Sequence, residues 1–340
     1  MPAPSALSRN GGGRPTDEFR LIARILQVFR DHGALEDPRI QVPPGDDAAV
    51  LGCESGRVVA TTDSLVEGTH FRFGWASPAD IGYKAVVVNL SDLAAMGARP
   101  SGLLISLFIP DRVTDRVVLH VIRGMAEACR EFGAPVIGGN IARADGPFAV
   151  TVTALGEPAA GRILTRAGAR AGDRIYVTGV LGAAALGLRI LSHHPRLRNR
   201  FLGLIRAFRR PSPRLLEGAA LAGLPGVHGV TDISDGLLAD LGHVLECSGT
   251  AADVHLDRLP LHAEAARAAR VLGVDPIEMA LSGGEDYELI VCAAEDTAPE
   301  LEASGLKPIG TLCARTRPRV RLHASGRRVA IPRVRGFRHR

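Results

Sequence analysis

Cysteine is scarce and never paired in sequence. Cys53, Cys129, Cys247, Cys292 and Cys313 are scattered, odd in number and without a CxxC spacing. That excludes a disulfide framework or a cysteine zinc site, and it predicts a reducing, cytoplasmic setting. Long apolar runs are missing as well. Asp92 and Arg99 interrupt the region 85–110, and Arg189 follows the apolar run after Gly179, so no window of about 20 residues suits a bilayer. Residues 1–15 hold three consecutive glycines but no apolar h-region, which predicts a disordered extension rather than a signal peptide. The familiar nucleotide loops are absent too. No G-x-x-x-x-G-K-[ST] occurs, and no G-x-G-x-x-G links a strand to a helix. There is no nucleophile elbow and no H-E-x-x-H zinc motif. Lysine is nearly absent, with Lys84 and Lys307 the only two among 41 basic residues. Base composition explains that bias better than chemistry does.

What is present reads as a globular chain. Its 340 residues favour two domains, and 46% apolar content without low-complexity tracts supports packed cores. The net charge of +5 divides unevenly. Residues 315–340 carry ten arginines and no acid, while the rest holds 31 basic against 36 acidic residues. An amphipathic helix is predicted over 17–32, with Phe19, Ile22, Leu26 and Phe29 on one stripe. Strands are predicted near 57–62, 102–109, 135–137 and 148–155, with helices over about 77–97 and 114–132. Gly, Pro, Ala and Arg dominate 156–172, which sets the expected boundary between domains at 16–157 and 158–340. Beyond it, strands near 174–178, 252–256, 286–292 and 318–322 alternate with helices near 181–191, 213–222, 236–247, 261–272 and 298–304. The segment 193–214, with seven arginines, reads as a mobile surface excursion. Alternation of strands and helices in both halves gives an α/β (α+β) class.

The chemistry concentrates in acids placed in turns or just after strands: Asp46 and Asp47, Asp63, Asp232 and Asp235, and Asp286. Asp92 differs, because it lies among Leu90, Leu93 and Met96 in a helix, where a carboxylate needs a cation or donors. Carboxylates suit hard cations such as magnesium, which takes few protein oxygens and completes its shell with phosphate and water. Gly138-Gly139-Asn140 and Ser282-Gly283-Gly284 read as turns whose N–H groups would approach phosphate. Such a site, without an evident histidine base, fits transfer to an acceptor that is already ionised.

Five segments, in order, resemble the thiamine-monophosphate kinase family. They are Gly45-Asp-Asp-Ala-Ala, Thr61 to Phe71, Tyr83 to Gly97, Thr231 to Leu237, and Leu281 to Leu289, and the match spans roughly 17–340. The resemblance implies the two-domain fold shared with aminoimidazole ribonucleotide synthetase, paired into a homodimer through N-terminal domains. It implies ATP as co-substrate, thiamine monophosphate as acceptor and several magnesium ions. Asp47, Thr61, Thr62, Asp63, Asp92, Asp232 and Asp235 would bind metal. Gly139, Asn140, Arg166 and Ser234 would contact ATP, and His70, Glu285 and Phe337 the acceptor. Many family members have Gly-Gly-Asp where this chain has Gly-Gly-Asn140, so a metal ligand there would lose its charge. Phe337 is aligned on Gly336-Phe337 alone. Rival readings are a purine or selenophosphate synthetase type of the same superfamily, and a nucleic-acid-binding protein acting through the arginine-rich tail. The missing reactive Cys near a Lys argues against the selenophosphate type. The acidic body argues against the nucleic-acid reading.

Overall fold

Period-two burial builds the first sheet. Along the strand Ala149–Pro158, Val150, Val152, Ala154 and Gly156 are buried while Thr151, Thr153 and Leu155 are half-exposed. The computed structural model describes residues 40–42, 46–53, 56–143, 145–317 and 319–330, all within one compact unit, Pro38–Phe337. The predicted extension 1–15, the predicted helix 17–32 and Phe337 lie outside the described residues. The first sheet contains β1 (Ile40–Val42), β2 (Ala49–Cys53), β3 (Gly56–Val66), β4 (Ala98–Ile109), β5 (Val136–Arg143) and β6 (Ala149–Pro158), in spatial order β1-β2-β3-β6-β4-β5. The β4–β5 pair is parallel and the others are antiparallel.

Helix α1 (Pro78–Ala95) packs on this sheet. Ser77 caps it reciprocally with Asp80, Pro78 starts it, and 14 of its 18 residues are buried. Helix α2 (Asp115–Phe132) crosses α1 where glycines admit backbone. A Cβ on Gly82 would sit 1.9 Å from the Val121 carbonyl oxygen, and one on Gly124 would sit 1.8 Å from that of Ala79.

The second sheet contains β7 (Arg174–Val177), β8 (Val227–Asp232), β9 (Thr250–His255), β10 (Leu289–Ala293), β11 (Lys307–Ala314), β12 (Val320–Ala324) and β13 (Arg327–Val329). Their spatial order is β13-β12-β9-β11-β7-β10-β8. Around it lie α3 (Ala183–His193), α4 (Leu202–Arg209), α5 (Leu215–Ala222), α6 (Leu237–Cys247), α7 (Ala265–Leu272), α8 (Pro276–Ser282) and α9 (Ala298–Ala303). The two halves share a core: Ala94 and Ala95 of α1 pack with Leu221, Ala222, Val230 and Leu289. Mixed sheets with helices confirm the expected α/β (α+β) class.

Three local expectations are corrected. Gly138-Gly139-Asn140 is not a turn; it lies within β5, paired with Leu104-Ile105-Ser106. The strand expected over 286–292 starts at Leu289, because Glu285 and Tyr287 adopt left-handed φ of 68° and 51°. The segment 193–214 forms a 3-10 turn and α4, whose Phe201, Leu204, Ile205 and Phe208 are buried. Its arginines act as tethers. Arg210 bonds Asp80 and Glu127, Arg209 the Trp75 carbonyl, and Arg214 Glu288.

Candidate active site

Carboxylates from both halves converge where the two sheets meet. Asp47 follows β1, Asp92 comes from the last turn of α1, and Asp232 ends β8. One oxygen from each lies within 4.8 Å of the others. Hydroxyl donors hold them in place. Thr61 Oγ1 donates to Asp92 at 2.7 Å, Ser91 Oγ to Asp232 at 2.6 Å, and Thr231 Oγ1 to Asp47 at 3.1 Å. The Arg166 guanidinium pairs with Asp47, and its Nε donates to Thr231 Oγ1 at 3.2 Å. Asn89 Oδ1 accepts the Asp63 N–H at 2.9 Å, which fixes the end of the Thr61-Thr62-Asp63 run.

The electrostatics follow from this crowding. Burial pushes the Asp47 carboxyl up to about 6, although the Arg166 charge pulls it down. Burial raises Asp232 to about 6 as well, against the Ser91 hydrogen bond. Asp92 is raised well above the usual range by burial and then by the charges of Asp232, Asp63 and Asp47. Like charges removed from water favour the neutral form unless a cation joins them. Asp47 Oδ2 is buried without a hydrogen-bond partner. An orphaned carboxylate oxygen within an all-oxygen donor set fits a hard divalent cation.

A second wall of the site is the irregular loop 283–288. Glu285 Oε1 accepts from Lys84 Nζ at 2.7 Å. Asp286 is buried and caps α3, accepting from the Gly182 N–H at 2.6 Å and the Ala184 N–H at 3.2 Å. Burial pushes its carboxyl up to about 8. The backbone N–H groups of Glu285 and Tyr287 donate to the carbonyls of Ser234 and Ile233, so this loop lies along the 232–236 turn.

The predicted residues therefore divide. Thr61, Asp63, Asp47, Asp92, Asp232, Asp235 and Arg166 lie together, with Asp63 and Asp235 adding to the negative potential at Asp232. Thr62 points along the exposed face, bonding Thr153. Ser234 and Glu285 meet at the loop just described. His70 follows β3, where its Nδ1 accepts the Val66 N–H at 3.0 Å. Gly139 and Asn140 are not in the cluster. In register, Asp63 pairs with Val152, Val152 with Ile105, and Ile105 with Gly139. Three strand spacings put them about 14 Å away within one chain. Asp240 Oδ2 accepts the N–H groups of both Asp235 and Gly236, at 3.1 and 3.0 Å, and holds the turn that leads into α6.

Sequence reasoning missed Asn89, Ser91, Thr231, Asp240 and Lys84. The polar residues Asn89, Ser91 and Asp92, close together in an otherwise apolar helix, were the available signal for the first two.

Two family models match, described as AIR synthase related protein, N-terminal domain, over residues 45–157, and C-terminal domain, over 170–323. The thiamine-monophosphate kinase of Escherichia coli K12 is 39% identical over 292 residues, covering 85% of each chain. A crystal structure of thiamine-monophosphate kinase from Stenotrophomonas maltophilia K279a is 36% identical, with a TM-score of 0.70 over 91% of this chain and 96% of the other. A structure described as AaThiL complexed with AMPPCP and TMP is 31% identical, with a TM-score of 0.81 over 98% of this chain and 100% of that one.

Proposed function

The chain belongs to the thiamine-monophosphate kinase family, and from that membership we propose that it transfers the γ-phosphoryl group of ATP to thiamine monophosphate, assisted by several magnesium ions. The observation that carries the metal part of this reading is the converging triad Asp47, Asp92 and Asp232 with its orphaned, buried Asp47 oxygen. Thr61, Asp63 and Asp235 complete the proposed donor set, while the Thr62 hydroxyl is engaged on the opposite face by Thr153. Bound divalent cations would offset the repulsion between two phosphate groups and align them for in-line transfer.

The chain's own groups do the rest. Arg166, held by Asp47 and Thr231, places a fixed cation beside the phosphates, and Ser234 contacts ATP. Glu285, His70 and Phe337 orient the acceptor. A phosphate acceptor is ionised at neutral pH, so its oxygen attacks without a general base. His70 suits orientation rather than proton removal, because its Nδ1 already accepts the Val66 N–H. The domains divide the work: 16–157 binds metal and ATP and pairs with a second copy, and 158–340 supplies Asp232, Asp235 and the acceptor loop.

Pairing would use the outer face of the first sheet, where Leu104 and Phe108 are each 41% exposed. The ATP role of Gly139 and Asn140 belongs to that pairing, since within one chain they stand on the far edge strand. We place the enzyme in the cytoplasm on its scattered cysteines; among the described residues no helix is long and apolar enough to cross a membrane.

The test is ADP release with thiamine monophosphate or free thiamine at matched concentration, with products identified by mass. We expect turnover on the monophosphate alone. Comparable turnover on thiamine would sink the base-free mechanism, and none on either would sink the substrate assignment.

A further inference from the structure

Beside the carboxylates lies one charged contact that none of these roles uses. Lys84 sits on α1, about two turns before Asp92, and is only 5% exposed. Its Nζ bonds Glu285 Oε1 at 2.7 Å and lies 4.0 Å from the Phe208 ring centroid, at the end of α4. The chain uses arginine for 39 of its 41 basic residues, yet one of its two lysines stands here. A compact ammonium fits between a carboxylate and a ring face, where a planar guanidinium needs more room.

The partner side of this contact is strained. Glu285 and Tyr287 both hold left-handed backbone without being glycine, a conformation that persists only where surroundings enforce it. On the second half, enforcement comes from the Ser234 and Ile233 carbonyls and from Asp286 on α3. From the first half, Lys84 reaches the loop through its bond to Glu285. The ammonium takes one Glu285 oxygen, and the other has no hydrogen-bond partner among the described residues.

We infer that Lys84 is a positioning residue for the acceptor: through Glu285 it holds the loop 283–288 so that the second carboxylate oxygen meets a cationic heteroaromatic ring. This rests on the kinase reading above, in which Glu285 faces the acceptor. The charge-assisted bond to one oxygen also fixes how the carboxylate is turned in its half-buried place, which a flexible, unpaired Glu285 would not achieve.

A double-mutant cycle tests it. Lys84→Met should raise the KM for thiamine monophosphate about tenfold while leaving the KM for ATP unchanged, the size expected for a contacting charged pair. Glu285→Gln should do the same, and the double variant should be no worse than the poorer single one. Independent, multiplying effects, or an equal rise in the KM for ATP, would overturn the inference. Amide hydrogen exchange gives a readout besides activity: amides 285–288 should exchange faster in Lys84→Met than in wild type, and unchanged exchange would overturn the anchoring. If the wild type fails to use thiamine monophosphate, the kinase reading falls while the exchange experiment still decides whether Lys84 holds the loop. The double variant leaves no unpaired charge, so it keeps the comparison alive if Lys84→Met folds poorly.

Discussion

Replacing Asp92 by asparagine should move stability and activity in opposite directions. Asp92, Asp47 and Asp232 present oxygens within 4.8 Å of one another, and two unit charges at that distance repel by about 3 kcal/mol at an effective dielectric of about 20. Protonation relieves part of this, since all three carboxyls are raised. Removing one charge should therefore stabilise the metal-free protein by about 1–2 kcal/mol, a rise of a few degrees in Tm for a chain this long. An asparagine oxygen can still accept from Thr61 Oγ1, so the local geometry survives. The same change removes a charged metal ligand, and a loss of about 3–4 kcal/mol of transition-state stabilisation corresponds to a 10²–10³-fold lower rate. Calorimetry in a chelator and ADP release with magnesium measure the two effects. Near-wild-type turnover would make Asp92 structural. A lower Tm together with lost activity would mean that the carboxylate holds the fold and that the repulsion argument is wrong.

Magnesium should raise Tm more at pH 7 than at pH 5. The Asp47 and Asp232 carboxyls are held near 6 in the folded chain. Their favourable contribution to metal-free stability is full below about pH 4 and is lost as pH rises through 6. Metal must displace those protons, so its stabilisation grows over the same interval; a magnesium increment that is flat from pH 5 to 7 would contradict the assignment. Phe108→Asp, on the exposed face of β4, should weaken self-association by at least tenfold in sedimentation experiments, and an unaltered dimer would move the interface elsewhere.

How much the sequence disclosed depended on whether a signal was local. Asp92 stood out because a carboxylate among Leu90, Leu93 and Met96 has no cheap resting place, and the structure gives it Thr61 and two carboxylate neighbours. The strands near 102–109 and 148–155 were legible from their apolar content and period. The Thr61-Thr62-Asp63 run, expected at the end of a strand near 57–62, lies inside β3 (Gly56–Val66), and its support by Asn89 was not legible because a partner 26 residues away is set by packing. Asp240 and Lys84 escaped for the same reason.

Misreadings had physical causes. In 193–214 seven arginines hid Phe201, Leu204, Ile205 and Phe208, spaced as one helical face. Gly138-Gly139 looked like a chain break, whereas Gly139 is needed within the strand: a Cβ there would lie 2.1 Å from the Ile105 carbonyl oxygen.

The three clustered carboxylates also form a seam. Asp92 belongs to the helix on the first sheet and Asp232 to the edge strand of the second, so their mutual repulsion pushes apart the two halves that the shared core around Ala94 and Leu289 holds together. In the metal-free chain that junction is the place where charge works against packing. A cation bound there would act as a rivet, turning the repulsion into a cross-link and binding the halves into one cooperative unfolding unit. Loading of the site and mechanical integrity of the molecule are then the same event, seen once as chemistry and once as stiffness.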